Sequence, residues 1–429
     1  MGTHHMGRLA MLVSAVMLAL GLAAAPVAAG GGQERWVDND GMAGPAHGCA
    51  GTAAAFDSVQ DAIDASGAND VVWICPGTYR ENLRVTAQPG LQLRSVKRWK
   101  AVLMPTPAVT SAAATATVEP SGTLTPVLYI ESNRVLARWL TIKIPATGNC
   151  DYAMHGVVVQ GAGQVQIRGN RITGGAGAPD QCGMGTGIYF EGAATGQASY
   201  NIIQKFVNSG ITAYLGPSVL LYRNSIRMFT PGCVTAVACA AAGRPAGSTT
   251  AVAPALGPSQ VGIRANNAAV RIRGNVVRED PNFVSSSFSY GIGIDVFNSS
   301  AVNHVVINGN TVVGAVDGIS VFQASDGTIT RNHISGGSGR GIALLSASNW
   351  TVDHNRVTGR GGSGIVLDNG TSLNDVDSND FSGNVDTDCV DATGNVAVAG
   401  PVDPIDNTWT NDVGDESSPA GICLPSVGG

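Results

Sequence analysis

The sequence predicts an all-β fold, a right-handed parallel β-helix (solenoid) with a short N-terminal capping helix, and three observations predict it. A glycine followed by an aliphatic residue recurs at Gly156, Gly187, Gly210, Gly262, Gly291, Gly318, Gly341 and Gly364, each time opening a short β-like run. An asparagine before a β-favouring pair recurs in step with it, at Asn170, Asn201, Asn224, Asn275, Asn310, Asn332, Asn355 and Asn379, and the last three steps are 22, 23 and 24 residues. The 429 residues include 57 glycines, with 13% charged and 5% aromatic side chains, a balance that suits a turn-rich solenoid better than a compact globular enzyme.

Taken in chain order, Arg8 precedes an apolar run from Leu9 to Ala25, and Val27, Ala28 and Ala29 follow. This pattern predicts a signal peptide over 1–29 cleaved near Ala29, the alternative being an uncleaved membrane anchor. No later segment is apolar for long enough to span a bilayer, so residues 30–429 are expected to be one secreted, soluble domain with no membrane contact after cleavage. Its N-terminal cap, about 36–80, contains a helix in which Phe56, Val59 and Ile63 share a face, Ser58 with Asp61 forms a weak capping box, and Gly67 ends the helix. The strand Val71 to Ile74 and the Pro76-Gly77 turn follow. The coils then run over about 81–385, with two strand-like runs per period of about 23 residues and an inserted loop over 230–259 where the step from Gly210 to Gly262 lengthens to 52 residues. Residues 386–429 form the C-terminal cap, and the acidic residues concentrated between Asp375 and Glu416 suit a solvated end.

Eight cysteines in an exported chain point to disulfides. Neighbours in sequence suggest Cys49 with Cys75, Cys150 with Cys182, Cys233 with Cys239, and Cys389 with Cys423, although spacing alone leaves other pairings open. Zinc is the rival reading, and no CxxC spacing supports it.

Strand alternation assigns the sides of the tube. The first and third residues after each glycine, from Val157 and Val159 through Ile292 and Ile294 to Ile365 and Leu367, are apolar throughout and are expected to fill the interior. The asparagines sit where the chain must bend, so stacking and mutual bonding of their amides makes them structural residues.

These residues resemble the pectate-lyase-like superfamily of parallel β-helix proteins, on the stretch from Ser58 through Asp64 to Pro76-Gly77-Thr78-Tyr79-Arg80-Glu81 and on the eight coils. The resemblance covers nearly all of residues 30–429 and implies the fold together with polysaccharide as the class of ligand. Gly77-x-Tyr79-x-Glu81 is also similar to a motif of pectin methylesterases, and Gly293-Ile294-Asp295-Val296-Phe297 echoes the segment that carries their catalytic Asp, with Asn298 where they have Gly. The Asp-Pro-His-Asp motif of mannuronan epimerases is absent, Asp280-Pro281-Asn282 being the nearest fragment.

Outward positions stack about 4.8 Å apart from coil to coil, so chemistry-bearing residues there form a continuous face. The face from the second coil to the sixth holds the candidate catalytic residues Arg264, Asp295 and Glu191 and the candidate substrate-binding residues Tyr189, Tyr214, Asn266 and Phe322, beside the inserted loop. Aromatic rings stack on sugars, and a lyase or epimerase acting on a uronic acid must neutralise its carboxylate and move the adjacent proton. Arg264 would be the charge partner or base and Tyr189 or Tyr214 the proton donor. A glycoside hydrolase needs two carboxylates roughly 5–9.5 Å apart, whereas three coils separate Glu191 from Asp295 by about 14 Å. Asp295 would then need Glu279 or Asp280 as its partner.

His155, His304, His333 and His354 read as solvated turn residues, and no metal site is expected. Asp375, Asp377, Asn379 and Asp386 imitate a calcium loop without its turn glycine, Asp380 standing there, so no specific motif supports calcium and no cofactor is predicted. The net charge of −6 argues against nucleic acid as a partner. The sequence therefore predicts a secreted carbohydrate-active protein that binds a polysaccharide and cleaves or epimerises it. The alternative is a non-catalytic extracellular surface or matrix scaffold, since a fold does not dictate a function.

Overall fold

Three strands, rather than the predicted two, make up each full coil. The computed structural model describes residues 32–41, 49, 55–106, 116–119, 122–145, 154–174, 184–228, 260–279, 291–299, 304–394, 396–397 and 406–425. The chain divides into Met1–Gly31 and Gly32–Gly429, and every described residue lies in the second unit. The predicted signal peptide, Cys150, Cys182, Cys233, Cys239 and the inserted loop 230–259 thus fall outside the described residues.

Strands stack into a first sheet of 14, from Glu34–Val37 to Val396–Ala397, a second of 10, from Gly77–Arg80 to Arg356–Thr358, and a third of 13, from Leu83–Val85 to Ser417–Ser418. Pairing is parallel except where Ala116–Glu119 lies antiparallel to Gly122–Ile130. One coil runs through Met184–Glu191 in the third sheet, Thr195–Ser199 in the first and Ile202–Gln204 in the second, then re-enters the third at Phe206–Tyr214. This right-handed progression is the sense that parallel crossovers take. The first-sheet strand escapes the sequence pattern because neither marker opens it: it lies between the glycine-marked strand and the asparagine, with inward pairs such as Val219 and Leu221, Val270 and Ile272, and Val305 and Ile307.

All three sheets point one face into a single core. Fifteen of the sixteen residues assigned to the interior are fully buried there, and the exception is Ile292, which is half-exposed. Two Gly-Ile pairs occur in succession, and it is Gly293, not Gly291, that stacks on Gly262, so Ile294 and Val296 face inward. The glycine column has a steric origin. A Cβ on Gly210 would lie 2.6 Å from both the Gly262 carbonyl oxygen and Ile226 Cγ2, and one on Gly293 would lie 2.3 Å from Val312 Cγ1. The chain turns there so tightly over the β-branched column of the second sheet that no side chain fits.

The asparagines form one buried ladder along the corner between first and second sheets. The main-chain amide and the side-chain Nδ2 of Asn170 both donate to Oδ1 of Asn201, at 3.0 and 3.2 Å. The same double donation repeats through Asn224, Asn275, Asn310, Asn332, Asn355 and Asn379, each Nδ2 also reaching a carbonyl on the first-sheet strand of the preceding coil. The last rung is Asp412, whose Oδ1 accepts from Asn379 at 2.9 and 2.8 Å.

At the N-terminal end, the helix Val59–Asp64 buries Val59, Ala62 and Ile63, and Phe56 packs against the same core. It ends at Ala65, before the predicted stop at Gly67. The Ser58 hydroxyl accepts from Asp61 N–H, and Glu81 reaches back from the coils to accept from Val59 N–H, Gln60 N–H and the Ser58 hydroxyl, each at 2.9 Å. The carboxylate satisfies amides that have no partner within the helix. Tyr79 is buried, with its hydroxyl donating to the Cys75 carbonyl at 3.0 Å. The Gly77-x-Tyr79-x-Glu81 motif accordingly ties down the cap. Disulfides Cys49–Cys75 and Cys389–Cys423 close the two ends.

Two consequences are measurable. Replacing Asn275 by Ala strands two buried donors of Asn224 and the Leu221 carbonyl. At about 1–3 kcal/mol per unsatisfied group, urea unfolding should shift by several kcal/mol, and an unchanged midpoint would count against the ladder. Asp412 is the second case, because burial pushes its carboxyl from 3.8 up to about 7. A folded value above the unfolded one means that stability is full below about pH 4 and declines as pH rises through 7. Asp412→Asn should match the parent near pH 4 and exceed it by about 1–3 kcal/mol at pH 8; parallel pH profiles of the two melting temperatures would contradict this.

Candidate functional site

The third sheet carries the longest strands of the coil, 9 residues in Phe206–Tyr214 against 3 in Ile202–Gln204 of the second sheet. Its outer face is correspondingly broad, with two side-chain columns running across the coils. One holds Tyr129, Val158, Tyr189, Thr212, Arg264 and Asp295, and the other Gln160, Glu191, Tyr214, Asn266, Phe297 and Phe322. All seven sequence-predicted site residues therefore share this face. The stacking of Gly293 moves Asp295 into the column of Arg264, two residues from its predicted place, and puts Phe297 where Asp295 was expected.

The upstream part of the face is aromatic and closed. Tyr129, Val158 and Tyr189 form an apolar cluster separate from the core, with Tyr214 packed on its edge. Tyr189 is only 1% exposed, so its ring is a wall of the site, and Tyr214 is the half-buried ring that remains accessible. His155 approaches Tyr189 edge-on at 5.6 Å, and Tyr189 lies 6.2 Å from Tyr214. The Tyr129 hydroxyl donates to Gln160 Oε1 at 2.6 Å while the Arg84 guanidinium sits 5.1 Å over its ring. Burial, and then the negative charge of Glu131, raises the Tyr129 phenol above its ordinary value. Glu191 is buried beside these rings. Between this cluster and the charged part, the hydroxyls of Thr186 and Ser209 bond at 3.0 Å and Ser209 bonds to Thr212.

The downstream part is charged. Arg264 Nε donates to Asp295 Oδ2 at 3.2 Å, and its Nη1 reaches Asn208 Oδ1 at 3.5 Å. Burial raises the Asp295 carboxyl, Arg264 opposes that shift, and the charge of Asp317 adds to it. Asp317, on the next coil, is held by Arg340, whose Nη2 donates to Oδ2 at 2.9 Å and whose main-chain amide donates to Oδ1 at 2.9 Å. Phe297 and Phe322 stack at 5.3 Å with planes 7° apart, a flat apolar platform beside the ion pairs.

Sequence reasoning missed His155, Tyr129, Phe297, Asp317 and Arg340. His155 is buried in a strand, not in a solvated turn. It immediately precedes Gly156, as Thr186, Ser209 and Asp317 come just before or near theirs, and the glycine irregularity turns these positions outward. Glu279 ends a strand of the second sheet beside Gly314, away from Asp295, and Asp280 lies outside the described residues. The calcium-like run does not converge: Asn379 is a ladder rung, while Asp375 and Asp377 accept from the Thr408 and Thr410 hydroxyls. Among the described residues one trio of metal-type ligands comes together, Asp38, Cys49 and Cys75, but the disulfide between the cysteines leaves no thiolate to bind an ion.

The profile of the family described as "Right handed beta helix region" matches residues 259–411. No curated protein sequence matches the chain. Among solved structures, the A-module of mannuronan C-5 epimerase AlgE4 from Azotobacter vinelandii is similar, at 13% identity and a TM-score of 0.55 over 89% of this chain and 95% of that one. A family 28 exopolygalacturonase from Yersinia enterocolitica is similar at 10% identity and a TM-score of 0.57 over 88% of this chain and 78% of that one. The fold is thus a right-handed parallel β-helix.

The Arg264–Asp295 pair predicts a pH signature. With Asp295 already raised, Arg264→Met removes the charge that opposes the shift, so the variant should lose stability relative to the parent as pH climbs from about 4 to about 8. Adding Asp295→Asn should abolish that pH dependence in thermal melts; its persistence would place the titration elsewhere.

Proposed function

We propose that this β-helix is a secreted carbohydrate-active protein that binds an acidic polysaccharide across the outer face of the third sheet and acts on it by lyase or epimerase chemistry. The observation that carries the reading is the adjacency, on one face, of an aromatic and imidazole cluster around Tyr189 and a partly exposed arginine–carboxylate pair. A uronic acid offers a ring for Tyr214 and the Phe297–Phe322 platform, a carboxylate for Arg264, and an acidic C–H next to that carboxylate. Removing that proton builds negative charge on the carboxylate, which a fixed guanidinium stabilises more in the transition state than in the ground state. Tyr214, the accessible phenol, is the proton-transfer group, with Tyr189, itself packed by His155, holding its ring and Asp295 holding Arg264.

Both solved proteins named above take their names from polyuronides, mannuronan and polygalacturonate, and share this fold over most of the chain. The absence of the Asp-Pro-His-Asp motif means that the assignment of roles rests on the geometry of this chain's own residues. The two disulfides accord with an exported protein. A non-catalytic scaffold is the second reading, favoured by the extent to which Asp295 and Asp317 are already engaged by arginines.

The test is incubation of the purified protein with alginate, polygalacturonate and glycosaminoglycans, following unsaturated-product absorbance, new reducing ends and sugar composition by proton NMR. The expected result is a lyase or epimerase signal that Tyr214→Phe lowers at least a hundredfold and Arg264→Met lowers with a raised KM. New reducing ends without absorbance would replace this chemistry by hydrolysis using Asp295 and Asp317. Silence in all three assays would leave the scaffold.

A further inference from the structure

The outer face of the first sheet carries a second feature, distant in the coil from the site above. One outward column there reads Trp36, Trp73, Arg94, Arg138 and Arg168 on successive strands, and continues through Ser199 and Tyr222 to Arg273. Carboxylates enter this column only at Asp353. Neighbouring arginines stand one strand spacing apart, about 4.8 Å, close enough to repel one another in water. Burial first, and then Arg168 and Arg94, lower the Arg138 value, the expected mark of crowded like charges.

Rings rather than carboxylates support these cations. The Arg94 guanidinium lies 5.4 Å from the Trp73 ring centre, Arg138 lies 3.8 Å from Trp139, and Arg168 lies 5.6 Å from Tyr200. Arg98 over Trp99 at 4.0 Å and Arg223 over Tyr222 at 5.0 Å extend the pattern into the adjoining turn. Stacking leaves the in-plane N–H groups of a guanidinium directed away from the ring, available to an anion. Nε of Arg94 and Nε of Arg138 are shielded from solvent and donate to nothing in the protein. A row of like charges is costly for the folded protein, and an anion laid along it offsets that repulsion.

We infer that this ridge is a binding surface for an anionic polysaccharide, with Arg94, Arg138 and Arg168 taking successive acidic groups and the flanking rings of Trp139 and Tyr200 contacting the sugars between them. A polymer is favoured over a single small anion because the arginines form an open row on consecutive coils with no enclosing wall. A glycan is favoured over other polyanions because Arg94, Arg138 and Arg168 each have an aromatic ring beside them. The surface does not depend on catalysis at the third sheet and would hold substrate, or a wall polymer, whichever reading of that site is right.

The experiment is affinity electrophoresis and calorimetry of the full chain with polygalacturonate, dextran sulfate, unsubstituted dextran, duplex DNA and phosphatidylglycerol vesicles. Expected are retention by the two acidic glycans, none by dextran, and a loss of at least tenfold in affinity for Arg94→Gln/Arg138→Gln/Arg168→Gln, with a smaller loss for Trp139→Leu. The glutamines keep a polar side chain and part of the stem while removing the guanidinium charge, and an unchanged melting temperature verifies folding. Conversion of a short uronate oligosaccharide by the triple variant at the parental rate, with polymer retention lost, would separate the ridge from the third-sheet site. Undiminished retention by the triple variant, or tighter binding of DNA or vesicles than of acidic glycans, would overturn the assignment.

Discussion

Every rung of the asparagine ladder points the same way, and much of the molecule follows from that polarity. Each amide gives its protons to the rung nearer the C-terminus and takes protons from the rung before it, so the hydrogen bonds of one coil are completed only by its neighbours. A buried corner that would otherwise hold unpaired main-chain groups becomes fully bonded. The series ends on Asp412, whose Oδ1 accepts both donors of Asn379. The tight corner opposite, where glycines pass over β-branched side chains of the second sheet, fixes how far the third sheet lies from the ladder. Those two corners set the lateral register, and register is what lines up Arg264 with Asp295 and Tyr189 with Thr212.

How much of this was legible in the sequence follows from where each residue's signal came from. Glycine and asparagine announce the two tight corners because no other side chain satisfies both the space and the bonding there, so fold, ladder and most of the core could be read directly. The first-sheet strand has no such obligatory residue and was absorbed into the interval between markers. Gly291-Ile292-Gly293-Ile294 satisfies the pattern twice, and only the fit of Gly293 against Val312 and the Gly318 carbonyl decides between them. Of the site, the predicted residues share a face because alternation is strict beyond the glycine. His155, Asp317 and Arg340 were missed because the residue before that corner departs from alternation. Glu81 illustrates the opposite error, a motif suggestive of chemistry whose carboxylate is engaged by the amides of a capping helix.

The outward surfaces differ in how their charges are compensated. On the third sheet Arg264 and Arg340 each have a carboxylate, which fixes their geometry at the expense of their charge. On the first sheet Arg94, Arg138 and Arg168 have rings, which fix geometry and leave the charge whole. The arginines of the first-sheet row are far apart in sequence at unequal intervals, because loops of different length separate the coils. No periodicity in the chain would have brought them together, and only the stacking does.

Most coils are built to one pattern, yet Trp350 is not interchangeable with its counterparts. Its ring is buried inside the tube, with its Nε1 donating to the Ala324 carbonyl at 3.1 Å, and the strand below makes room for it with Gly327, where a Cβ would fall 2.3 Å from the ring. A chain of repeats can ordinarily gain or lose a unit by duplication or deletion of one period, since each new rung finds the same partners. Here the coil that carries Trp350 needs a glycine at the facing position of the coil before it, so removing the Gly327 coil alone would set the Trp350 ring against a side chain, a constraint that the repeat pattern by itself does not impose.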